Sequence, residues 1–148
     1  MASSRFWLIS NPLPKSSTSC NKDLNGGYGT WDKIGNNFIS KIIGRLKKRN
    51  IKLPVLCLSY IQKLLEDRNI NCFYSEDFNE TLKIISKKKI EYVIIYGSII
   101  CCDYENKLIE EIKKLKRTKV IVVGTFPTKF PEKFQSADHI ICGEPESF

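Results

Sequence analysis

Glu91-Tyr92-Val93-Ile94-Ile95-Tyr96-Gly97-Ser98 is the stretch whose reading decides the fold. A continuous apolar run over 92–96, β-branched at its centre and ended by Gly97, reads as a strand over 91–96 buried on both faces. Val120-Ile121-Val122-Val123-Gly124 repeats the pattern and predicts a strand over 119–123. Between them Leu108, Ile109, Ile112 and Leu115 recur at the spacing of one helical face, with Asp103 as the expected N-cap, so 104–116 reads as a helix. Strand, helix and strand in this order imply a βαβ crossover, hence a parallel sheet covered on both sides.

The same two patterns extend in both directions. Phe6-Trp7-Leu8-Ile9 predicts a first strand over 5–9, Ile70-Asn71-Cys72-Phe73-Tyr74 a weaker one, and Ile140-Ile141-Cys142 a last one over 139–142. Helices are expected over 36–49 (Phe38, Ile39, Ile42, Ile43, Leu46), over 54–68 (Leu58, Ile61, Leu64, Leu65, with Pro54 in the first turn) and over 78–88. The last begins with Asp77 and Glu80 spaced as a capping box. A short helical turn is expected near 131–135. The expected fold is α/β, a flavodoxin- or Rossmann-like doubly wound sheet of five parallel strands in the order 2-1-3-4-5, in one domain over 1–148.

Composition supports a single globular unit: 148 residues, 42% hydrophobic and 27% charged. No apolar run approaches the roughly 20 residues needed to cross a bilayer, and the apolar start is too short for a secretory signal. The expected location is the cytoplasm. The six cysteines, 20, 57, 72, 101, 102 and 142, have no C-x-x-C spacing, and the one histidine, His139, has a single cysteine near it. They read as reduced thiols packed in the core, and His139 as a packed sheet residue. The net charge of +8 gathers in Lys47-Lys48-Arg49, Lys87-Lys88-Lys89 and Lys113 to Arg117, all at expected helix ends, where cations complement the carbonyl terminus. That distribution makes a nucleic-acid surface the minor alternative.

Parallel sheets bind ligands at the carboxyl ends of their strands, so the loops at Ser10, Gly97, Gly124 and Gly143 are the ones to inspect. The first, residues 10–34, is far longer than the roughly 2 to 6 residues usual for such a connection. It carries Asn11-Pro12-Leu13-Pro14, a Ser16-to-Ser19 run and Gly26-Gly27-Tyr28-Gly29-Thr30-Trp31. A phosphoacceptor site fails for want of carboxylates after the first and third strands. A dinucleotide site fails because the glycines lie far from the strand and off the G-x-G-x-x-G spacing. A flavin phosphate on the serine run remains open. So does a planar corrinoid over the small residues Gly97-Ser98, Gly124-Thr125 and Gly143, although a tight turn explains the same glycines.

Asn11-Pro12, the Gly26-to-Gly29 stretch, Leu53-Pro54-Val55-Leu56-Cys57-Leu58-Ser59-Tyr60-Ile61, Leu65-Glu66-Asp67-Arg68-Asn69, Gly124-Thr125-Phe126-Pro127 and Gly143-Glu144-Pro145-Glu146 follow one another along the chain. In that order they resemble the N-terminal cobalamin-binding domain of cobalamin-dependent radical SAM enzymes. The chain departs from the pattern at Leu13, where a second proline is usual, and at Thr125, where a second glycine is usual. The resemblance implies cobalamin at the carboxyl edge, with no protein imidazole on the cobalt. Asn11 and Pro12 would shape the loop under the corrin. Gly97, Ser98 and Ile99 would face its lower side and nucleotide tail, and Gly124, Thr125 and Phe126 would flank the tail. Tyr28 and Trp31 would close over the ring edge or anchor the loop on the core, and Gly143-Glu144 would form the closing motif.

The chain has no C-x-x-x-C-x-x-C run for an iron–sulfur cluster, so the cluster and SAM would belong to a partner domain, in cis or in trans. Read this way, the chain is a binding domain that catalyses nothing alone. The alternatives are a cofactor-free interaction or nucleic-acid-binding module and a flavin-binding electron carrier.

Overall fold

The computed structural model describes residues 6–14, 19–22, 26, 28–32, 37–40, 42–43 and 55–144. Strands β1 (Phe6–Ser10), β4 (Asn71–Ser75), β5 (Ile90–Tyr96), β6 (Lys119–Val123) and β7 (His139–Ile140) form one sheet in the order β4-β1-β5-β6-β7. Every pairing is parallel. Counted within this sheet alone, the order is 2-1-3-4-5. The numbering along the whole chain differs because two short strands, β2 (Ser19–Asn21) and β3 (Thr30–Asp32), intervene as an antiparallel pair. The protein therefore has the doubly wound, flavodoxin-like α/β architecture.

Side-chain alternation along the strands sorts the core into two halves. Leu8, Val93, Ile95, Val120 and Val122 face one side, with helices α2 (Phe78–Lys87) and α3 (Cys102–Lys114) supplying Ile85, Leu108, Ile109 and Ile112. Ile9, Ile94, Tyr96, Ile121 and Val123 face the other, against Leu58, Ile61 and Leu65 of helix α1 (Leu56–Asp67). Each such aliphatic side chain, once buried, contributes roughly 1.5–3 kcal/mol. Within the α1 half lies an apolar cavity of about 200 Å³ bordered by Trp7, Ile61, Leu65, Ile94, Ile121 and Ile141.

Several expectations are corrected. Asp77 does cap α2, accepting from Glu80 N at 3.0 Å, but Glu80 completes no capping box: its carboxylate accepts from Ser75 Oγ at 3.3 Å. Asp103 does not cap α3. A 3₁₀ turn over Ile99–Cys101 precedes the helix, Cys101 is the N-cap, and Asp103 lies in the first turn. Leu115 falls beyond the last turn and is exposed. The short turn expected near 131–135 is present as a 3₁₀ turn over Pro131–Phe134, and a helix that was not expected, α4 (Thr125–Lys129), precedes it. β7 is only two residues long, and His139 is exposed on this edge strand rather than packed. Phe38, Ile39, Ile42 and Ile43, expected on a buried face, are exposed, while Leu46, Lys47-Lys48-Arg49 and Pro54 lie outside the described residues. Of the six thiols, Cys101 alone is buried, Cys142 is exposed and the others are half-buried.

Candidate functional site

Because β1, β5, β6 and β7 run parallel, the segments that leave them meet along one edge of the sheet. At its centre β5 passes into Gly97, whose N–H donates to Val123 O at 2.9 Å. A Cβ on Gly97 would stand 2.5 Å from Pro127 Cγ, 2.9 Å from Phe134 Cζ and 3.1 Å from Val122 Cγ1. The missing side chain therefore makes room for α4 and the turn after it, and leaves no shelf open to solvent. Gly124 has φ +123°, and a Cβ there would lie 3.1 Å from Gly97 O and 3.2 Å from the Tyr96 ring. Phe126 is buried against Phe134 and Phe130. These glycines serve the packing of the protein on itself.

Ser98 is likewise turned inward. Its N–H and Oγ both donate to the Glu105 carboxylate, at 3.0 and 3.1 Å. Glu105 also meets Lys22 Nζ at 2.7 Å, with both side chains fully buried, and the same ammonium donates to Tyr96 O at 3.3 Å. Burial pushes the Glu105 carboxyl above the usual carboxylate range, opposed by Lys22 and the two donors of Ser98. Glu105 continues the buried stripe of α3 backward from Ile112, Ile109 and Leu108, so a carboxylate on a core-facing helix position was the one sequence signal for this cluster.

Lys22 comes from the long first loop, whose described parts are a hairpin seated on the edge. Cys20 and Lys22 stand two residues apart and reach the same region. Cys20 Sγ lies 3.3 Å from Cys101 Sγ. Gly29 has φ +86° and presses on the 99–101 turn, since a Cβ there would meet Ile100 Cδ1 at 2.6 Å. Tyr28 packs edge-on against Phe126, with ring centroids 6.3 Å apart, which anchors the loop on the core. Trp31 pairs with Cys20 in the hairpin register, and its side chain lies outside the described residues.

The outer part of the edge is different. Ile99 is 52% exposed, and Thr125, Gly143 and Glu144 are exposed as well. A Cβ on Gly143 would meet nothing within 4 Å. Thr128 joins the last two loops, its hydroxyl donating to Gly124 O at 2.8 Å and accepting from Gly143 N at 3.1 Å. After β1, Asn11 and Pro12 are buried, and Asn11 N donates to Ser75 O at 2.9 Å. The Asn11 side chain bonds Tyr74, but among the described residues its Oδ1 is buried without a hydrogen-bond partner. An unmet buried acceptor costs about 1–3 kcal/mol, a cost that a ligand donor would relieve.

No protein-family model matches the chain, and neither a curated protein nor a solved structure matches it. Among the described residues no helix is long and apolar enough to cross a membrane. A corrinoid can therefore be judged only against the residues present. They do not fit it at Gly97, Ser98, Gly124 and Phe126, which are committed to internal packing. Ile99, Thr125 and Gly143 are exposed and not so committed, and among the described residues the buried Asn11 Oδ1 is an unmet acceptor.

Proposed function

We propose that this domain binds cobalamin along the outer rim of the carboxyl edge and presents it to a radical SAM partner domain. Bound cobalamin supplies methyl transfer or electron relay. The supporting observation is Asn11 Oδ1, a buried acceptor after β1 that has no partner among the described residues. The corrin periphery carries amide N–H groups, the donors such an acceptor requires. Ile99 would give the macrocycle an apolar contact, Thr125 and Gly143 would let it approach, and Glu144 would stand at the rim's end. Gly97, Ser98, Gly124 and Phe126 would act behind this surface by holding its shape.

The test is retention of colour. The purified chain, mixed with hydroxocobalamin and desalted, is expected to keep a 1:1 complex with a shifted visible spectrum. Thr125→Trp, at an exposed position, is expected to lower retention at least tenfold while the melting temperature stays unchanged. A colourless chain that still melts cooperatively overturns the reading.

One observation favours a second reading, a cofactor-free interaction module of the same fold. The hairpin and α4 already fill the middle of the edge, where a ring would otherwise lie deepest. In that case hydroxocobalamin leaves no colour. If the partner is nucleic acid, binding falls steeply with added salt.

A further inference from the structure

We infer that Cys20 and Cys101 are a reversible disulfide site that clamps the 19–32 hairpin onto the end of β5. The inference is independent of what the rim binds. The two sulfurs are 3.3 Å apart although the residues are separated by 81 positions in the chain. Each is held from its own side. Cys20 occupies the middle of β2, fixed by pairing with β3, and Cys101 is the N-cap of α3 at the end of a 3₁₀ turn. The Lys22–Glu105 ion pair and the Gly29–Ile100 contact bring the same two segments together on either side of the sulfurs. Such preorganisation makes bond formation between them effectively intramolecular.

The two thiols differ in exposure, and exposure rather than acidity assigns their parts. The hydrogen bond between them holds the Cys101 thiol below its usual range, with Lys22 adding to the effect, and the same contact together with burial raises Cys20. Cys101 is buried, whereas Cys20 is half-buried and is therefore the one of the two that an outside reagent meets first. With glutathione disulfide as oxidant, Cys20 passes its proton on and attacks one glutathione sulfur. A mixed disulfide forms and one glutathione leaves. The Cys101 thiolate then attacks Cys20 Sγ, forming the Cys20–Cys101 bond and expelling the second glutathione. Two electrons pass from the protein thiols to the glutathione disulfide, and the two thiol protons end on the two glutathione molecules. Excess glutathione reverses both steps.

The full chain, equilibrated in glutathione buffers of increasing oxidised fraction and then alkylated, tests this. The expected result is the joint loss of two alkylation sites, with a cross-linked peptide containing Cys20 and Cys101, while Cys57, Cys72, Cys102 and Cys142 remain alkylated. The oxidised chain is expected to melt roughly 5–10 °C higher. Cys101→Ser is expected to stop at a glutathione adduct on Cys20, and Cys20→Ser to leave Cys101 reduced. The inference is overturned if Cys20 and Cys101 stay alkylated at an oxidant level that modifies Cys142. It is equally overturned if the cross-link joins Cys102 or any other thiol. Because the wild-type chain alone decides the mapping, a variant that folds poorly does not obscure the answer.

Discussion

The inner and outer stretches of the carboxyl edge use the same residue type in opposite surroundings. Gly97 sits where a single methyl group would strike Pro127 and Phe134, and Gly143 sits where it would strike nothing. A glycine at the end of a buried strand thus records that space is short, or that φ is positive, without recording which neighbour demands it. At Gly97 the neighbour is the protein's own α4, and at Gly143 the demand is a φ of +105°.

Substitutions can break this contrast in order of size. Gly97→Val is expected to cost about 3 kcal/mol or more by denaturant unfolding, since two contacts under 3.0 Å must be relieved by moving α4 and the 3₁₀ turn after it. A Gly97→Val chain with wild-type stability would mean that the inner edge is open after all. Lys22→Met is expected to cost about 3–5 kcal/mol by leaving Glu105 buried and unpaired. The double variant Lys22→Met/Glu105→Gln is expected to recover most of that loss, because it buries no charge and keeps an acceptor for Ser98. Simple addition of the two single effects would deny that the hairpin is fastened there.

Asp138 extends the comparison to the opposite, amino end of the sheet, where it precedes β7 and bonds the start of β6. Burial would raise its carboxyl, but hydrogen bonds from Lys113 and from Val120 N, at 2.5 and 2.8 Å, hold it below the usual aspartate range. A depressed folded-state pKa stabilises the protein above the ordinary aspartate pKa, and that stabilisation is lost as pH falls through the folded value. Asp138→Ala is therefore expected to cost about 1–2 kcal/mol at neutral pH and to flatten the acid limb of the stability curve. An unchanged acid limb would show that β7 is held by other contacts. The smallest effect is expected from Gly143→Ala, about 1 kcal/mol from its positive φ alone.

The sheet was legible because its strands are continuous apolar runs whose alternation feeds both core halves, as in Val93 and Ile95 against Ile94 and Tyr96. Helix positions followed from the same apolar spacing. What failed were local ends: the Asp103 cap was displaced because the chain leaves β5 through a 3₁₀ turn, and β7 pairs with β6 only at His139 and Ile140. The hairpin was hidden because Ser19–Asn21 and Thr30–Asp32 carry almost no hydrophobic pattern; their meaning lies in contacts with residues some 80 positions away, among them Cys20 with Cys101 at a separation of 81. Lys22 therefore reads as a loop residue, although it is part of the interior.

β1 lies between β4 and β5, so Phe6 pairs with Asn71 and Trp7 with Tyr92. Those partners are 71 − 6 = 65 and 92 − 7 = 85 residues downstream. Some 65 further residues must leave the ribosome before the first strand reaches β4 and some 85 before it reaches β5, and loop closure over such spans slows assembly. During that wait Phe6-Trp7-Leu8-Ile9 is a bare adhesive segment on the nascent chain, a natural handle for chaperones.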